Sequence, residues 1–184
     1  QFISKLHNDV PIVYHSPATS IQMTNTLVPE LEKIFDITGI KPLIAYERNN
    51  GGVFEMERLA SMNRVGKFDI FRMPNIGKEH NERSVRLGWD TNTSSRSGML
   101  QALKDAIDHE VIRIYDKTTI EEMFSFIICQ TSQTWKAQAE RNANDDCVMA
   151  LAIAYQLYLT TPTIVEKQDR YRSRNKQSFD PMAV

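Results

Sequence analysis

One stretch decides the fold that we expect, and it reads Pro42-Leu43-Ile44-Ala45-Tyr46-Glu47-Arg48-Asn49-Asn50-Gly51-Gly52. Its first half, Pro42–Tyr46, is a short apolar run that is consistent with a buried strand. The strand ends in a polar, glycine-rich turn that starts at Glu47. The pattern of Phe54–Met62 then predicts a helix. A buried strand that leads through a short turn into a helix is typical of α/β proteins.

The segments on either side of this stretch alternate between strand and helix patterns. Strands are predicted at Gln1–Leu6, Pro11–His15, Phe68–Met73 and Val111–Tyr115, with a short pair at Ile127–Cys129 and Thr134–Ala137. Helices are predicted at Ser20–Phe35, Ser97–His109, Thr118 or Thr119 to Phe126, and Cys147–Leu159. Pro29 is expected near the first full turn of the first helix, and Gly39 is expected to stop it. The order predicts an α/β fold, a mixed sheet covered by helices.

Length and composition exclude several classes of protein. The chain has 184 residues, enough for one domain with a buried core, and 41% of them are hydrophobic. A net charge of −1 argues against a protein that coats nucleic acid through bulk charge. No apolar run approaches the roughly 20 residues that cross a bilayer. Cys129 and Cys147 do not make a disulfide framework, so a reducing, intracellular setting is the simpler interpretation.

Three carboxylates are the candidate catalytic residues. Glu47 directly follows an apolar strand, and sites in α/β proteins gather at such strand ends. The alternative is that Glu47 only pairs with Arg48 or solvates the end of the strand. Asp145 and Asp146 open the strongly apolar helix Cys147–Leu159, which we expect to be buried. One of the two is suited to cap that helix. Two adjacent carboxylates also repel each other, and a divalent cation relieves that repulsion most simply.

Together these acids predict an all-oxygen metal site, which favours Mg²⁺ or Mn²⁺ over zinc. Hydrolysis of a phosphodiester with two metal ions needs about three or four carboxylates, so one more acid is expected from a neighbouring central strand. Other chemistries have no support in the sequence. The histidines show no zinc-ligand spacing, and there is no P-loop motif. A cysteine nucleophile is not expected either, because Cys147 lies in an apolar helix.

The polar stretch Asn75–Ser95 predicts a long loop or a small hairpin, and a loop of this length inside a compact domain is usually functional. Basic residues in and beside it are the candidate DNA-binding residues, namely Lys78, Arg83, Arg86 and Arg96. Acidic residues interleave with them, so a solvated loop is the alternative. The C-terminal stretch 161–184 is predicted to be a flexible basic tail that binds DNA or a protein partner, or that only solvates the chain.

Three stretches form an ordered set of motifs. The first, Ile44–Gly52, is an apolar strand that ends in Glu-x-Asn-x-x-Gly. The second, Gly88–Thr91, has the form Gly-x-x-Thr and precedes a helix. The third, Asn144–Ala152, is a paired Asp that opens an alanine-rich helix. With the strand and helix expected at Ile112–Phe126, the set resembles, in order and over most of residues 1–160, the nuclease domain of the large terminase subunits of tailed phages.

The resemblance implies an RNase H-like domain over residues 1–160, with the basic tail after it. It implies a two-metal endonuclease that uses Mg²⁺ or Mn²⁺ to cut concatemeric double-stranded viral DNA in the cytoplasm of the host cell. Glu47 would be the second acidic ligand and Asp145 or Asp146 the last, with Asp146 favoured. The implied partners are double-stranded DNA, an ATPase domain earlier in the chain, the small terminase subunit and the portal, and no membrane.

One part of the family pattern has no counterpart in these residues. The first acidic residue of the family lies on a strand that precedes a hairpin like the one predicted over residues 1–15. Asp9, in the turn of that hairpin, is a poor substitute. We therefore expect a nuclease domain that is incomplete at its N-terminus. Two alternatives stay open, namely another RNase H-like enzyme such as a junction resolvase or transposase core, and a non-catalytic module that holds DNA or docks to a portal.

Overall fold

The computed structural model describes residues 1–49, 51–73, 86–130, 135–139 and 144–161. The strands of this part of the chain are β1 (Phe2–Ser4), β2 (Asp9–Ile12), β3 (Leu43–Ile44), β4 (Asp69–Ile70), β5 (Arg72–Met73), β6 (Arg86–Leu87), β7 (Arg113–Ile114), β8 (Phe126–Gln130) and β9 (Trp135–Ala139). The helices are α1 (Ser20–Thr38), α2 (Gly52–Met62), α3 (Thr93–Asp108), α4 (Lys117–Phe124) and α5 (Asp146–Thr160). The predicted α/β class is confirmed, because helices alternate with small mixed sheets.

The predicted N-terminal hairpin forms one side of a three-stranded sheet. β1 pairs antiparallel with β2, and β2 pairs parallel with β7. A register shift interrupts the pairing of β1 with β2, and Pro11 lies beside it. Proline has no N–H to donate, so a strand tolerates it at such an irregularity. The second strand therefore spans Asp9–Ile12 and not the predicted Pro11–His15.

A second group of strands surrounds β3. β3 pairs parallel with β4, and the chain then turns through the antiparallel pair β5 and β6 before it returns to the same edge. On that return, the N–H of Gly88 donates to Phe71 O (3.0 Å) and the N–H of Trp89 donates to Tyr46 O (2.9 Å). The stretch Asn75–Ser95, predicted as a long loop or a small hairpin, thus contains β6, which pairs antiparallel with β5, and its last residues begin α3 at Thr93. Residues 75–85 of it lie outside the described part.

Helix α1 starts at Ser20, well before Pro29, so the proline does not mark its first turn. Thr19 caps it, because the Thr19 hydroxyl accepts from the N–H of Gln22 while the Gln22 side chain accepts from the N–H of Thr19. Gly39 ends it in a left-handed conformation, as predicted. Pro29 is therefore in the middle of the helix, which corrects the prediction of a first-turn position. The helix continues through the proline because Val28 and Leu31 bury its inner face.

The apolar residues form two core clusters. The larger joins the three-stranded sheet to α3 and α5, and the smaller lies between α1, α2 and β4. Helix α5 is buried along most of its length, as predicted, and Leu151 and Ala152 are wholly inaccessible. None of the helices in the described ranges is long and apolar enough to cross a bilayer.

Two buried carboxylates connect helices to each other. Glu55 of α2 accepts a hydrogen bond from the hydroxyl of Thr24 in α1 (2.7 Å), and that hydroxyl also lies 3.1 Å from Tyr46 Oη. Glu122 of α4 accepts from the N–H groups of Cys147 (2.7 Å) and Val148 (3.1 Å) at the start of α5. A carboxylate at a helix N-terminus satisfies free N–H groups and interacts favourably with the helix dipole. Glu122 therefore fixes where α5 begins.

We predict that Glu122→Ala lowers the free energy of unfolding by about 2–3 kcal/mol, because two buried N–H groups lose a charged acceptor. Chemical denaturation with urea measures this change. Glu121→Ala is the matched control, because the neighbouring Glu121 is exposed and only pairs with Lys117. The control should change stability by no more than about 0.5 kcal/mol. Equal losses in the two variants would contradict the proposed cap.

Asp116 caps α4 and makes stability depend on pH. Hydrogen bonds from the hydroxyl and the N–H of Thr119 lower the pKa of Asp116 below its ordinary value of 3.8. As the pH falls, the unfolded state takes up the proton first, so this contribution is complete above about pH 4 and is lost below it. We expect the difference in unfolding free energy between wild type and Asp116→Asn, measured with urea at about pH 6, to shrink at about pH 3. A difference that stays constant would show that the carboxylate charge contributes nothing.

Candidate active site

Glu47 lies just beyond the end of β3, half-buried, in a parallel bridge with Trp89. Its carboxylate accepts a hydrogen bond from the side-chain amide of Asn49 (3.1 Å). Arg48 does not neutralise it, because the Arg48 guanidinium pairs with Asp90 at 2.9 Å. The alternative ion pair between Glu47 and Arg48 is therefore not formed in the structure. Glu47 is a strand-end carboxylate whose orientation is set by an amide.

Two glycines allow the backbone to close around Glu47. A Cβ atom on Gly52 would lie 1.7 Å from the carbonyl oxygen of Glu47, which is far inside van der Waals contact. Gly88 has a positive φ of 87°, and a Cβ there would lie 2.7 Å from the carbonyl oxygen of Tyr46. Only residues without a side chain fit at such approaches. The end of β3 is thus clamped between the first turn of α2 and the segment that follows β6.

The first two motifs contact each other through their polar residues. The Asn49 amide that donates to Glu47 also donates to the carbonyl of Thr91 (3.2 Å). Arg48 donates to the carbonyl of Leu87 (2.6 Å) in addition to its ion pair with Asp90. Each named residue of Glu-x-Asn-x-x-Gly therefore has its own role in the structure. Glu47 supplies the carboxylate, Asn49 orients that carboxylate, and Gly52 packs against the Glu47 carbonyl.

Asp145 and Asp146 lie at the start of α5, but they differ in environment. Asp145 forms an ion pair with Arg96 of α3 at 2.6 Å, and the two side chains are 29% and 23% exposed. Asp146 is exposed. Asp145 occupies the N-cap position without a side-chain capping bond, because Glu122 takes the free N–H groups of that turn. The prediction that one of these two acids is the N-cap residue is therefore confirmed for Asp145, although its side chain makes no capping bond.

The first turn of α3 connects the two parts of the candidate site. Asn92 caps this turn, because its side chain accepts from the N–H groups of Ser94 and Ser95. On one side, the carbonyl of Thr91 accepts from the amide that orients Glu47. On the other side, Arg96 reaches Asp145. Segments far apart in sequence are thus tied to one helix end.

The donor chemistry fits a hard divalent cation, since the three acids offer only carboxylate oxygens. The arrangement fits less well. Among the described residues, no three Asp, Glu, His or Cys side chains come close enough together to form a metal site. The charge of Asp145 is also balanced by Arg96, and not left for a cation. In this arrangement the described residues do not form the two-ion site that the sequence predicted.

The candidate DNA-binding residues are placed only in part. Arg86 is exposed in β6 and pairs with Asp90 at 2.8 Å. Asp90 also pairs with Arg48, so Arg86 lies beside the turn that starts at Glu47. Arg96 lies in the first turn of α3 and not in an open loop. Lys78 and Arg83 lie outside the described residues, as does the predicted basic tail beyond Thr161.

The thiol of Cys147 is not part of this chemistry. It is buried at 4% exposure in the first turn of α5. Burial, and then the nearby Glu122 carboxylate, raise the pKa of this thiol to about 11, so it stays protonated at neutral pH. Glu55 and Glu122 were not among the residues predicted from the sequence. Neither glutamate has a local sequence signal, because each depends on partners in other helices.

Comparisons of the chain with family models, with curated proteins and with solved structures give no match. The same comparisons leave the fold at the level of a mixed α/β domain.

We predict that Gly52→Ala destabilises the protein by at least about 2–3 kcal/mol, because the new methyl group cannot be accommodated without moving the Glu47 carbonyl or α2. Gly98→Ala is the matched control, since nothing lies within 4 Å of a Cβ at Gly98 of α3. Alanine is the better helix former, so the control should gain about 0.5–1 kcal/mol. Urea denaturation compares the two variants, and a neutral Gly52→Ala would refute the close contact.

Proposed function

We propose that the chain is an RNase H-like nuclease domain of the large-terminase type. In this proposal it hydrolyses phosphodiester bonds of double-stranded DNA with the help of Mg²⁺ or Mn²⁺. On the basis of the motif resemblance, we further propose that it acts in a viral DNA-packaging machine in the host-cell cytoplasm. An ATPase domain, a small terminase subunit and a portal would be its partners there.

The observation that carries the proposal is the link through the start of α3. The strand-end acid Glu47 and the helix-start acid Asp145 are both tied to that one helix end, through Asn49 and Arg96 respectively. Acids that only solvate a surface do not need such an arrangement. Acids that act on one substrate must be brought to one place and oriented there.

The neighbouring residues would each contribute to hydrolysis of a phosphodiester. A bound divalent cation supplies charge neutralisation and lowers the pKa of water, and Glu47, Asp145 and Asp146 would be its ligands. Asn49 would orient the carboxylate of Glu47 through its hydrogen bond. Glu122 would hold the start of α5, and with it both aspartates, in place. Arg86 is exposed beside this region and would contact a DNA phosphate.

A non-catalytic DNA-holding module is the second candidate function. One observation favours it, because the described residues do not gather three acids into a metal site. Such a module would bind DNA through arginines such as Arg86, and its affinity would fall steeply with salt. It would need neither Glu47 nor Asp146.

The test compares metal binding and cleavage in Glu47→Gln, Asp146→Asn and wild type, each in the full natural polypeptide that contains these residues. Mn²⁺ binding is measured by calorimetry, and cleavage by conversion of supercoiled plasmid to nicked or linear DNA. We expect each variant to weaken Mn²⁺ binding by about tenfold or more and to abolish detectable cleavage. Asp108→Asn is the control, because Asp108 is an exposed acid at the far end of α3.

Each other outcome identifies a different function. Cleavage by the variants at the wild-type rate would overturn the assignment of Glu47 and Asp146 to the active site, and absence of both cleavage and DNA binding in wild type would overturn the nuclease proposal. Salt-dependent DNA binding without cleavage or Mn²⁺ binding would support the DNA-holding module. Metal-dependent cleavage that prefers branched over linear DNA would indicate another RNase H-like enzyme, such as a junction resolvase.

A further inference from the structure

We propose that an apolar surface formed by the end of α3, β7 and α4 joins two copies of this chain in a symmetric dimer. The inference goes beyond the proposed function and does not depend on it. It rests on a cavity, on an aromatic side chain that projects beside that cavity, and on the charged side chains that flank both.

A cavity of about 390 Å³ opens on this surface. The residues that line it are all apolar, and they are Ile107, Ile112, Ile114, Ile120, Met123 and Phe124, which together we call the Phe124 face. Sites for small molecules carry a few polar groups that orient the ligand, and the side chains of this lining supply none. An open apolar recess is instead typical of a surface that binds protein.

Phe124 is the most exposed residue of the face. It is the last residue of α4 and is 86% exposed, whereas Ile112 in the same lining is only 5% exposed. The face therefore has a projecting ring next to a recess. Such a surface fits a second copy of itself across a twofold axis, because each copy then supplies one ring and accepts one ring. Burial of the two rings would drive the association.

The charges on α4 fit an antiparallel contact with the α4 of a second copy. Lys117 and Glu121 are exposed, form an ion pair at 3.3 Å, and lie alongside Ile120 and Phe124 on the helix. In an antiparallel pair, Lys117 of each copy faces Glu121 of the other. Phe124 then lies beyond the first turn of the other α4, where Ile114 lines the recess.

The α3 side of the face carries a similar charge pair. Lys104 and Asp108, which flank Ile107 along α3, form an exposed ion pair. Each helix thus places one positive and one negative side chain beside the apolar residues. DNA binding needs an excess of Lys and Arg, which these pairs do not provide. They also do not repel a second copy, as side chains of a single sign would.

The size of the face indicates a reversible dimer. Its side chains cover less than the roughly 1,200–2,000 Å² that a stable interface of standard size buries. We therefore expect a dissociation constant on the order of 10–100 µM. At that affinity the protein would dimerise only where its local concentration is high.

The test is sedimentation velocity of the full natural polypeptide that contains these residues, from about 1 µM to about 500 µM. Wild type should pass from monomer to dimer in this range. Phe124→Gln should weaken the dimer by at least about a hundredfold, because one substitution removes two buried rings from a symmetric contact. Phe54→Gln is the matched control and should dimerise as wild type does, since Phe54 is also 75% exposed but lies on α2.

A charge exchange tests the antiparallel arrangement. Lys117→Glu places acids opposite acids across the axis and should weaken the dimer by about threefold to tenfold. The double variant Lys117→Glu, Glu121→Lys makes the facing charges opposite again and should restore wild-type affinity. Weakening by the single variant without this rescue would contradict the arrangement.

The remaining outcomes decide the proposal. A wild type that stays monomeric over the whole range would overturn it, and this includes the case in which a different protein covers the face. Dimerisation of Phe124→Gln at wild-type affinity would place the contact elsewhere and would also overturn it. If the far-UV circular dichroism of Phe124→Gln shows that this variant is unfolded, the charge exchange decides. None of these results bears on plasmid cleavage, so the nuclease proposal stands or falls separately.

Discussion

The carbonyl of Glu47 and the first residue of α2 lie in direct contact, and much of the structure depends on this approach. Because residue 52 is a glycine, α2 can start against the end of β3 and turn back over it. That direction places Met56 and Leu59 in the smaller core cluster. On the other side of the same backbone, Trp89 pairs with Glu47 and packs into the larger cluster. One turn thus connects both cores and orients the candidate acid.

Carboxylates have two different functions in this fold. Glu55 and Glu122 are buried and accept hydrogen bonds from other helices, so they hold those helices together. Glu47, Asp145 and Asp146 are more exposed and lie at element ends. Because Glu122 accepts from the N–H groups at the start of α5, the side chain of Asp145 is not needed for capping and is available to another partner. In the structure that partner is Arg96, and in the proposed function it is a metal ion.

Much of the fold could be predicted from the sequence, since helix and strand patterns are local. The buried helix α5, the strand at β3 and the stop at Gly39 follow from periodicity and glycine chemistry. Errors occur where tertiary packing outweighs a local preference. Pro29 is in mid-helix because the inner face of α1 is buried. The start of α3 at Thr93 has a local cause instead, because Asn92 caps the helix before its apolar periodicity begins. Within the candidate site, the sequence indicated the acids but not Asn49 or Glu122 as their supports.

The class of the fold, the order of its elements and the positions of the candidate acids at a strand end and a helix start all follow from local sequence patterns. Hydrophobic periodicity and turn chemistry are properties of neighbouring residues, so they can be recognised without the fold. Which charged side chains meet depends instead on how the helices and strands pack. Arg96 and Asp145 are 49 positions apart, and they form a pair because α3 packs on α5. A charge pair of this kind depends on distance in space, which sequence spacing does not report.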